Sequence, residues 1–280
     1  MIDLHVHTNI SDNSLSISEV IRLALDKGIT HLAITDHDTT KGLQEAINLG
    51  IEIGVGIIPG IELSAYDYQR NKRAHILGLN IEPGHHSLDL LCTSLVQNRN
   101  QASFEMVSKI IAAGYDISWE DVRKYEGGTG VYKQHIMHAL LDKGYCKSIY
   151  GDLYKELFHR GSSSEPQGIA FIQLEYIDAR TAIRAVREAG GIAVLAHPGQ
   201  LSNFDAIDEW IEFGLGGIEV FHPSHNEDNQ QTALQYARKH NLIITGGSDF
   251  HGFYGENPVE LGCLELNEEC IDELLARKKG

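Results

Sequence analysis

Residues 1–12 of this 280-residue chain read Met-Ile-Asp-Leu-His-Val-His-Thr-Asn-Ile-Ser-Asp, a pattern from which both a fold and a chemistry can be inferred. Apolar side chains at positions 2, 4 and 6 alternate with polar ones at positions 3, 5 and 7, which is the period of a β-strand. One face of the strand can join a core while His5 and His7 project from the other, close enough to share one divalent cation. Asp12 follows in a short loop as a third candidate ligand.

Downstream of this strand the sequence alternates between predicted helices and strands. Residues 16–28 predict an amphipathic helix with a serine N-cap and a glycine end, and residues 31–38 predict a buried strand. Further strands are predicted at residues 51–58, 73–80, 191–198, 217–222 and 242–251, with helices at 40–50, 176–189, 204–213 and 226–240. Repeated βα units with buried strands imply an α/β fold with a parallel sheet, most simply closed into a barrel.

The pattern changes to helices alone in the middle of the chain. Helices are predicted at residues 88–113, 119–125, 135–143 and 150–159, and the Ser- and Gly-containing segment 162–168 is predicted to be a linker. We therefore interpret residues 84–167 as an all-helical insertion, and residues 1–83 with 168–280 as the barrel domain.

Composition and charge exclude several classes of protein. Hydrophobic residues make up 42% and charged residues 22% of the chain, as in soluble globular proteins, and no apolar run is long enough to cross a membrane. The first strand begins at once and the four cysteines are scattered, so we expect a cytoplasmic protein with reduced thiols. A net charge of −16 argues against a duplex nucleic-acid partner, although bound cations would still admit a small anionic substrate.

Residues that ligate metals recur where the predicted strands end. Any one of them is more often a hydrogen-bonded core or surface residue than a ligand. Together they would be costly to bury in one pocket unless cations neutralised and bridged them. The candidate metal ligands are His5, His7, Asp12, His37, Glu62, His75, His197, Asp249 and His251.

The segments that carry these residues resemble the signature motifs of the PHP (polymerase and histidinol phosphatase) domain family, in the family's order. They are His-Val-His-Thr at 5–8, Ile-Thr-Asp-His-Asp at 34–38, Gly-Ile-Glu-Leu at 60–63, Ala-His-Pro at 196–198 and Gly-Ser-Asp-Phe-His at 247–251. The helical insertion and Pro-Ser-His at 223–225 resemble the branch of small-nucleotide phosphoesterases and RNA 5′-end exonucleases. Asp12, where some members have histidine, fits that branch better than the histidinol-phosphate branch.

The resemblance implies a distorted (β/α)7 TIM-like barrel with an inserted all-helical subdomain and a site for three divalent ions. It implies three ligand sets: His5, His7, Glu62 and Asp249 for one ion; Asp12, His37 and His251 for a second; and Glu62, as a bridge, with His75 and His197 for a third. Mixed nitrogen and oxygen ligands suit Mn, Fe or Zn, with manganese favoured. Six positive charges against three carboxylates leave about three for phosphate and for a water that becomes the nucleophile.

Other residues are candidates for catalysis and substrate binding. Asp249 is assigned a catalytic as well as a ligand role, and His225 is the leading candidate to protonate the departing oxygen, the alternative being a solvated loop histidine or helix cap. His222 packs beside the site or contacts substrate. Lys133 and His135 fall where the family branch carries Arg-Pro-His, although a lysine lacks the bidentate fork of arginine. Asp36 is predicted to orient a ligand imidazole.

These observations predict a metal-dependent phosphoesterase that acts on small nucleotides, such as nucleoside 3′,5′-bisphosphates, or on the 5′ ends of short RNA. Three alternatives remain open at this point. One is a histidinol-phosphate-type or other small alcohol monophosphatase, and the second is a non-catalytic, metal-stabilised PHP module. The third is an amidohydrolase, against which stands only the lack of a strand-borne lysine in a bridging position.

Overall fold

The computed structural model describes residues 1–162, 165–256 and 258–277, which form two compact units. One unit comprises residues 1–93 and the chain from Tyr176 onward, and the other comprises residues 94–175. The predicted linker at 162–168 includes residues 163 and 164, which lie outside the described residues. In the described part of the chain, no helix combines the length and the apolar character needed to cross a membrane.

The first unit is built on an eight-stranded, curled sheet. Its path runs β1-β2-β3-β4-β6-β7-β8, and the short β5 pairs with β3. Val6 pairs with Phe250 in an isolated bridge, so the two ends of the path also touch. The strands are β1 (Ile2–Val6), β2 (His31–Ile34), β3 (Gly56–Asp67), β4 (Lys72–Leu79), β5 (Ile177–Asp178), β6 (Ile192–Leu195), β7 (Leu215–Phe221) and β8 (Ile243–Gly246).

The expectation of an all-parallel sheet is wrong at β4, which runs antiparallel to both β3 and β6. The physical reason is the length of the β3–β4 connection, residues 68–71, in which Asn71 has a positive φ of 54°. A parallel pair needs a crossover of about a dozen residues or more, whereas a connection this short can only make a hairpin.

Helices α1, α2, α7 and α10 pack against the sheet, and the other helices follow in the ranges given below. Helix α1 begins with a capping box between Ser16 and Glu19 and buries four apolar residues at helical spacing. The helices are α1 (Ile17–Asp26), α2 (Leu43–Ile53), α3 (His86–Ala112), α4 (Trp119–Arg123), α5 (Lys133–Asp142), α6 (Asp152–Phe158), α7 (Ala179–Glu188), α8 (Pro198–Leu201), α9 (Ile207–Trp210), α10 (Glu227–His240) and α11 (Glu269–Arg277).

The strand predicted at residues 51–58 is largely misplaced. Helix α2 continues through Ile51, which is 79% exposed, and it ends at Gly54, whose φ of 85° suits a C-cap. Strand β3 then starts at Gly56 and runs on to Asp67. A short apolar run has the same appearance in a helix end and in a buried strand, so periodicity alone could not place this boundary.

Two apolar clusters bury the strands of the first unit on both faces, as expected for strands in parallel α/β sheets. The larger cluster combines strand residues such as Val6, Ile34 and Ile218 with residues of α1, α2, α7 and α10. The smaller cluster includes Ile2 and Leu4 with residues of β2, β4, β6, β8 and α11. Several buried polar side chains, among them His7, Asp36 and His197, lie within two residues after the end of a strand.

Candidate metal centre

All nine predicted metal ligands lie in the first unit; seven lie near the end of a strand or in the loop after it, while Glu62 and His75 lie in the middle of β3 and β4. His5 lies in β1 and His7 directly follows it, while Glu62 and His75 lie within the β3–β4 hairpin. Backbone contacts hold these segments in register. The amide of Asp249 donates to the carbonyl of His5 at 2.8 Å, and residues 37 and 62 form a parallel bridge.

The first group of converging side chains consists of His5, His7, Glu62 and Asp249, whose candidate ligand atoms all lie within 4.8 Å of one another. Nε2 of His5 lies 3.3 Å from Glu62 Oε2 and 3.4 Å from Asp249 Oδ1. Nε2 of His7 lies 3.2 Å and 3.1 Å from the same two oxygens. Two imidazole nitrogens and two carboxylate oxygens therefore face a common point.

A second group is formed by His7, Asp12, His37 and His251, again within 4.8 Å. The shortest approach in it is 3.3 Å, between His251 Nε2 and Asp12 Oδ1. His7 borders both groups, because its Nδ1 lies 3.6 Å from Asp12 Oδ1 while its Nε2 faces the first group.

Glu62 connects the first group to a third one. Its Oε1 lies 2.7 Å from His75 Nδ1 and 3.1 Å from His197 Nε2. Its Oε2 faces His5, His7 and, at 3.2 Å, Nδ1 of His37. The two oxygens of one buried carboxylate thus border different groups of imidazoles, as a bridging ligand would.

The donor atoms fit a bound cation better than they fit each other. Nε2 of His5, Nε2 of His7 and Oδ1 of Asp249 are buried, yet within the described residues they make no hydrogen bond of normal geometry. Atoms that ligate one metal at about 2.0–2.2 Å lie roughly 3–3.5 Å apart. The observed separations of 3.1–3.4 Å match that range.

The pKa shifts of the buried groups show that positive charge stabilises the carboxylates of the cluster. Burial opposes ionisation of Glu62, yet the imidazoles of His37, His75 and His5 hold the pKa of its carboxyl well below its usual range. Burial likewise disfavours charge on His7, but the carboxylates of Asp249 and Glu62 raise its pKa to about 10. Positive charge supplied by metal ions would satisfy the same carboxylates and leave the imidazoles neutral, as ligation requires.

Glu219, which is fully buried on β7, was not among the site residues predicted from the sequence. Its Oε1 lies 3.0 Å from His5 Nδ1, and its Oε2 accepts a hydrogen bond of 2.7 Å from the backbone amide of His197. Burial raises the pKa of Glu219, but the neighbouring His5, His222 and His197 outweigh that effect and lower it overall. A single acid between Ile218 and Val220 in a buried strand was the available signal.

His222 and His225 lie beside the cluster in different ways. His222 is buried, and its Nε2 lies 3.4 Å from Asp249 Oδ2. His225 bonds the backbone through both ring nitrogens, with Nδ1 2.9 Å from the carbonyl oxygen of Val220 and Nε2 accepting from the amide of Gly199 at 3.1 Å. His225 therefore secures the start of α8, directly after His197, and its Nε2 must exchange a partner before it can protonate a leaving group.

The predicted substrate contacts of the insertion lie in the second unit, at the start of α5. His135 is buried, and its Nδ1 accepts from the amide of Tyr132 at 3.1 Å. The ammonium of Lys133 lies 5.3 Å from the centroid of the Phe158 ring. Both residues thus also have roles within the helical unit, as an N-terminal cap and as a cation–π partner.

Residues 3–188 match the model of the PHP domain. A phosphoribosyl 1,2-cyclic phosphate 1,2-diphosphodiesterase from Eggerthella lenta is 42% identical, over 91% of this chain and 96% of the relative. A 5′-3′ exoribonuclease from Haemophilus influenzae is 30% identical, over 98% of this chain and 96% of the relative. A 3′,5′-nucleoside bisphosphate phosphatase from Chromobacterium violaceum is 30% identical, over 94% of this chain and 91% of the relative.

Two solved structures are similar over nearly the whole chain. One, from Bifidobacterium adolescentis and provisionally described as a metal-dependent phosphoesterase, has a TM-score of 0.87 and 28% identity, covering 99% of this chain and 96% of its own. The other, from Chromobacterium violaceum, is described as an amidohydrolase with bound sulfate and no metal. It has a TM-score of 0.84 and 29% identity, with the same coverage.

Proposed function

The chain belongs to the PHP domain family of phosphoesterases, and on that premise we propose that it hydrolyses phosphate esters of small nucleotides, such as nucleoside 3′,5′-bisphosphates, or the 5′ ends of short RNA. The observation that carries this proposal is the convergence of imidazoles and carboxylates from both ends of the sequence on common points. The sulfate bound by the Chromobacterium violaceum structure supports it, since sulfate resembles phosphate in shape and charge.

The proposed site binds three divalent ions, of which manganese suits the mixed nitrogen and oxygen ligands, as iron and zinc also would. Its ligand sets are His5, His7, Glu62 and Asp249; Asp12, His37 and His251; and Glu62, His75 and His197. When bound, such ions supply positive charge for the phosphate and lower the pKa of a coordinated water. The first set is supported by three buried atoms, Nε2 of His5, Nε2 of His7 and Oδ1 of Asp249, which make no normal hydrogen bond within the described residues.

The chain's own residues supply the remaining functions. Glu62 holds the groups together through its two oxygens, and Asp249, itself 23% exposed, presents Oδ1 to the cluster while its other oxygen faces His222. His225 protonates the departing oxygen from Nε2 once that atom releases the Gly199 amide. Lys133 and His135, with His222, contact the substrate phosphate or base. The net charge of −16 disfavours duplex nucleic acid as a partner.

The proposed architecture is a distorted (β/α)7 barrel, residues 1–83 with 168–280, with residues 84–167 as an inserted helical subdomain. The bridge between Val6 and Phe250 supports closure of the sheet, and helices α3 to α6 support the insertion. We place the enzyme in the cytoplasm, a setting in which its four cysteines, which are thiols in the structure, stay reduced.

A second candidate substrate is a five-membered cyclic phosphate of phosphorylated ribose. It is favoured by one observation, the 42% identity to the phosphoribosyl 1,2-cyclic phosphate 1,2-diphosphodiesterase. Opening such a ring and cleaving a terminal monoester both consist of water attack at phosphorus, so one cation cluster serves either reaction.

Turnover of four phosphate esters by the purified protein with Mn²⁺ tests these assignments. The esters are adenosine 3′,5′-bisphosphate, a 5′-phosphorylated RNA tetramer, phosphoribosyl 1,2-cyclic phosphate and histidinol phosphate. We expect one of the first three to exceed histidinol phosphate at least tenfold in kcat/KM, with activity abolished by EDTA and restored by Mn²⁺. Preference for histidinol phosphate would favour the alcohol monophosphatase, and hydrolysis of no phosphate ester would favour the non-catalytic module or the amidohydrolase.

A further inference from the structure

Glu219 lies behind the metal cluster and lacks a place in the proposed ligand sets. It is fully buried on β7, and its carboxylate contacts residues from two other segments, β1 and the loop after β6. Oε1 lies 3.0 Å from Nδ1 of His5 on β1, and Oε2 accepts from the amide of His197, just after β6, at 2.7 Å. One side chain therefore contacts two of the proposed ligands.

The contact with His5 determines which ring nitrogen carries the hydrogen. A carboxylate accepts hydrogen bonds, so in the neutral ring that metal ligation requires, Nδ1 of His5 donates to Glu219 and Nε2 keeps its lone pair. That Nε2 is the atom that lies 3.3 Å from Glu62 and 3.4 Å from Asp249, and among the described residues it makes no hydrogen bond of normal geometry. In the opposite tautomer a hydrogen on Nε2 would point into the cluster and block ligation.

The contact with His197 acts on the backbone. His197 has a positive φ of 26°, an unfavourable conformation for a non-glycine residue, and its amide is an obligate donor. The 2.7 Å bond to Oε2 of Glu219 satisfies this amide at the point where the strained turn begins. The imidazole of the same residue reaches Glu62 Oε1 at 3.1 Å, so the position of this turn decides whether the third ligand set can form.

We propose that Glu219 is a positioning residue for metal binding, which selects the ligating tautomer of His5 and fixes the turn that carries His197. This proposal rests on the proposed function, since it takes His5 and His197 to be ligands. This role differs from general stabilisation of the fold. Its two effects concern Nε2 of His5 and the imidazole of His197, both of which face the cluster.

Replacing Glu219 by glutamine tests the proposal without changing the volume of the side chain. Glutamine offers one acceptor oxygen and one NH₂ donor, so it cannot accept from both His5 and His197. We expect Glu219→Gln to weaken Mn²⁺ binding about 10- to 100-fold in calorimetric titrations of chelator-treated protein. The matched control is Asp67→Asn, which removes a buried carboxylate that bonds Arg70 on the same unit, and it should change the Mn²⁺ affinity less than twofold.

Two further measurements separate the possible results. Thermal unfolding of the metal-free variants shows whether Glu219→Gln is folded, and a folded variant that binds Mn²⁺ like the wild type would overturn the proposal. Nitrogen-15 NMR of the zinc-loaded wild type needs no variant, and it should show hydrogen on Nδ1 of His5; hydrogen on Nε2 would also overturn the proposal. Failure of the wild type to bind Mn²⁺ would instead refute the proposed function.

Discussion

Two sets of buried carboxylates lie close together in the first unit, and they differ in the groups that face them. Asp36 accepts four hydrogen bonds from the amides and hydroxyls of Thr8 and Ser11, at 2.6–3.2 Å. Asp38 similarly accepts from the amide and hydroxyl of Ser64. Glu62 and Asp249, by contrast, face imidazole nitrogens rather than backbone amides and hydroxyls.

The difference separates supporting carboxylates from proposed metal ligands. N–H and O–H donors carry fixed hydrogens and satisfy a carboxylate without any ion. An imidazole offers either a hydrogen or a lone pair, so carboxylates and imidazoles that share a pocket need protons or cations between them. Burial of an acid is therefore a poor indicator of a ligand, and the type of donor that surrounds the acid is a good one.

Replacing Glu62 by glutamine should have the largest effect, because it removes the one carboxylate that borders all the imidazole groups. We expect the activity with Mn²⁺ to fall about 1,000-fold or more, the equivalent of about 4 kcal/mol of transition-state stabilisation. Initial rates at saturating substrate, together with elemental analysis of the bound metal, measure the change. Wild-type metal content in Glu62→Gln would contradict the distinction between the two sets of carboxylates.

Two variants, Asp249→Asn and Asp36→Asn, compare a proposed metal ligand directly with a supporting carboxylate. Asp249→Asn should weaken Mn²⁺ binding by about 3 kcal/mol, or about 150-fold, and should largely remove the rise in Tm that Mn²⁺ produces. Asp36→Asn should lower the free energy of unfolding of the metal-free protein by about 2 kcal/mol, because an NH₂ group then faces donors.

Thermal melts of both variants, with and without Mn²⁺, check this pair. Asp36→Asn should keep the Mn²⁺-dependent rise in Tm. A loss of that rise in Asp36→Asn, with its retention in Asp249→Asn, would reverse the roles assigned to the two sets.

Both ring nitrogens of His225 already have backbone hydrogen-bond partners. A variant at this position therefore tests whether such a histidine can still protonate a leaving group. If its Nε2 protonates the leaving group, His225→Gln should lower kcat about 100-fold for adenosine 3′,5′-bisphosphate. The same variant should lose less than about fivefold with a p-nitrophenyl ester, whose leaving group needs no proton. Equal losses on both substrates would restrict His225 to holding the Gly199 loop.

Lys133 lies in the second unit and should have the smallest effect. Lys133→Met should raise KM for adenosine 3′,5′-bisphosphate about fivefold, which corresponds to about 1 kcal/mol for one exposed phosphate contact. Lys133→Arg is the matched control and should keep KM within about twofold. An unchanged KM in Lys133→Met would remove this residue from the substrate contacts.

Much of the fold and of the site could be predicted from the sequence. The resemblance to the PHP family is confirmed by the family match, and His5, Glu62 and Asp249 do converge in one unit. Short motifs sufficed because each places a candidate ligand on a strand or within a few residues after one. The metal assignments themselves remain predictions.

What the sequence did not reveal depends on contacts between distant segments. Glu219 was missed because its role follows from reaching β1 and β6 across the sheet, which no local pattern encodes. The predicted function of Asp36 also differs in detail. It bonds Thr8 and Ser11, and Ser11 Oγ in turn lies 3.4 Å from His7 Nδ1, so any influence on that imidazole is indirect.

The bridge between Val6 and Phe250, with the amide of Asp249 bonded to the carbonyl of His5, also sets an order of events during biosynthesis. His5 and His7 are synthesised well before Asp249, so a chain that stops short of residue 249 has no complete first proposed ligand set. If a purified fragment that includes residue 249 retained metal, this would show that β8 and the residues after it had packed beside β1.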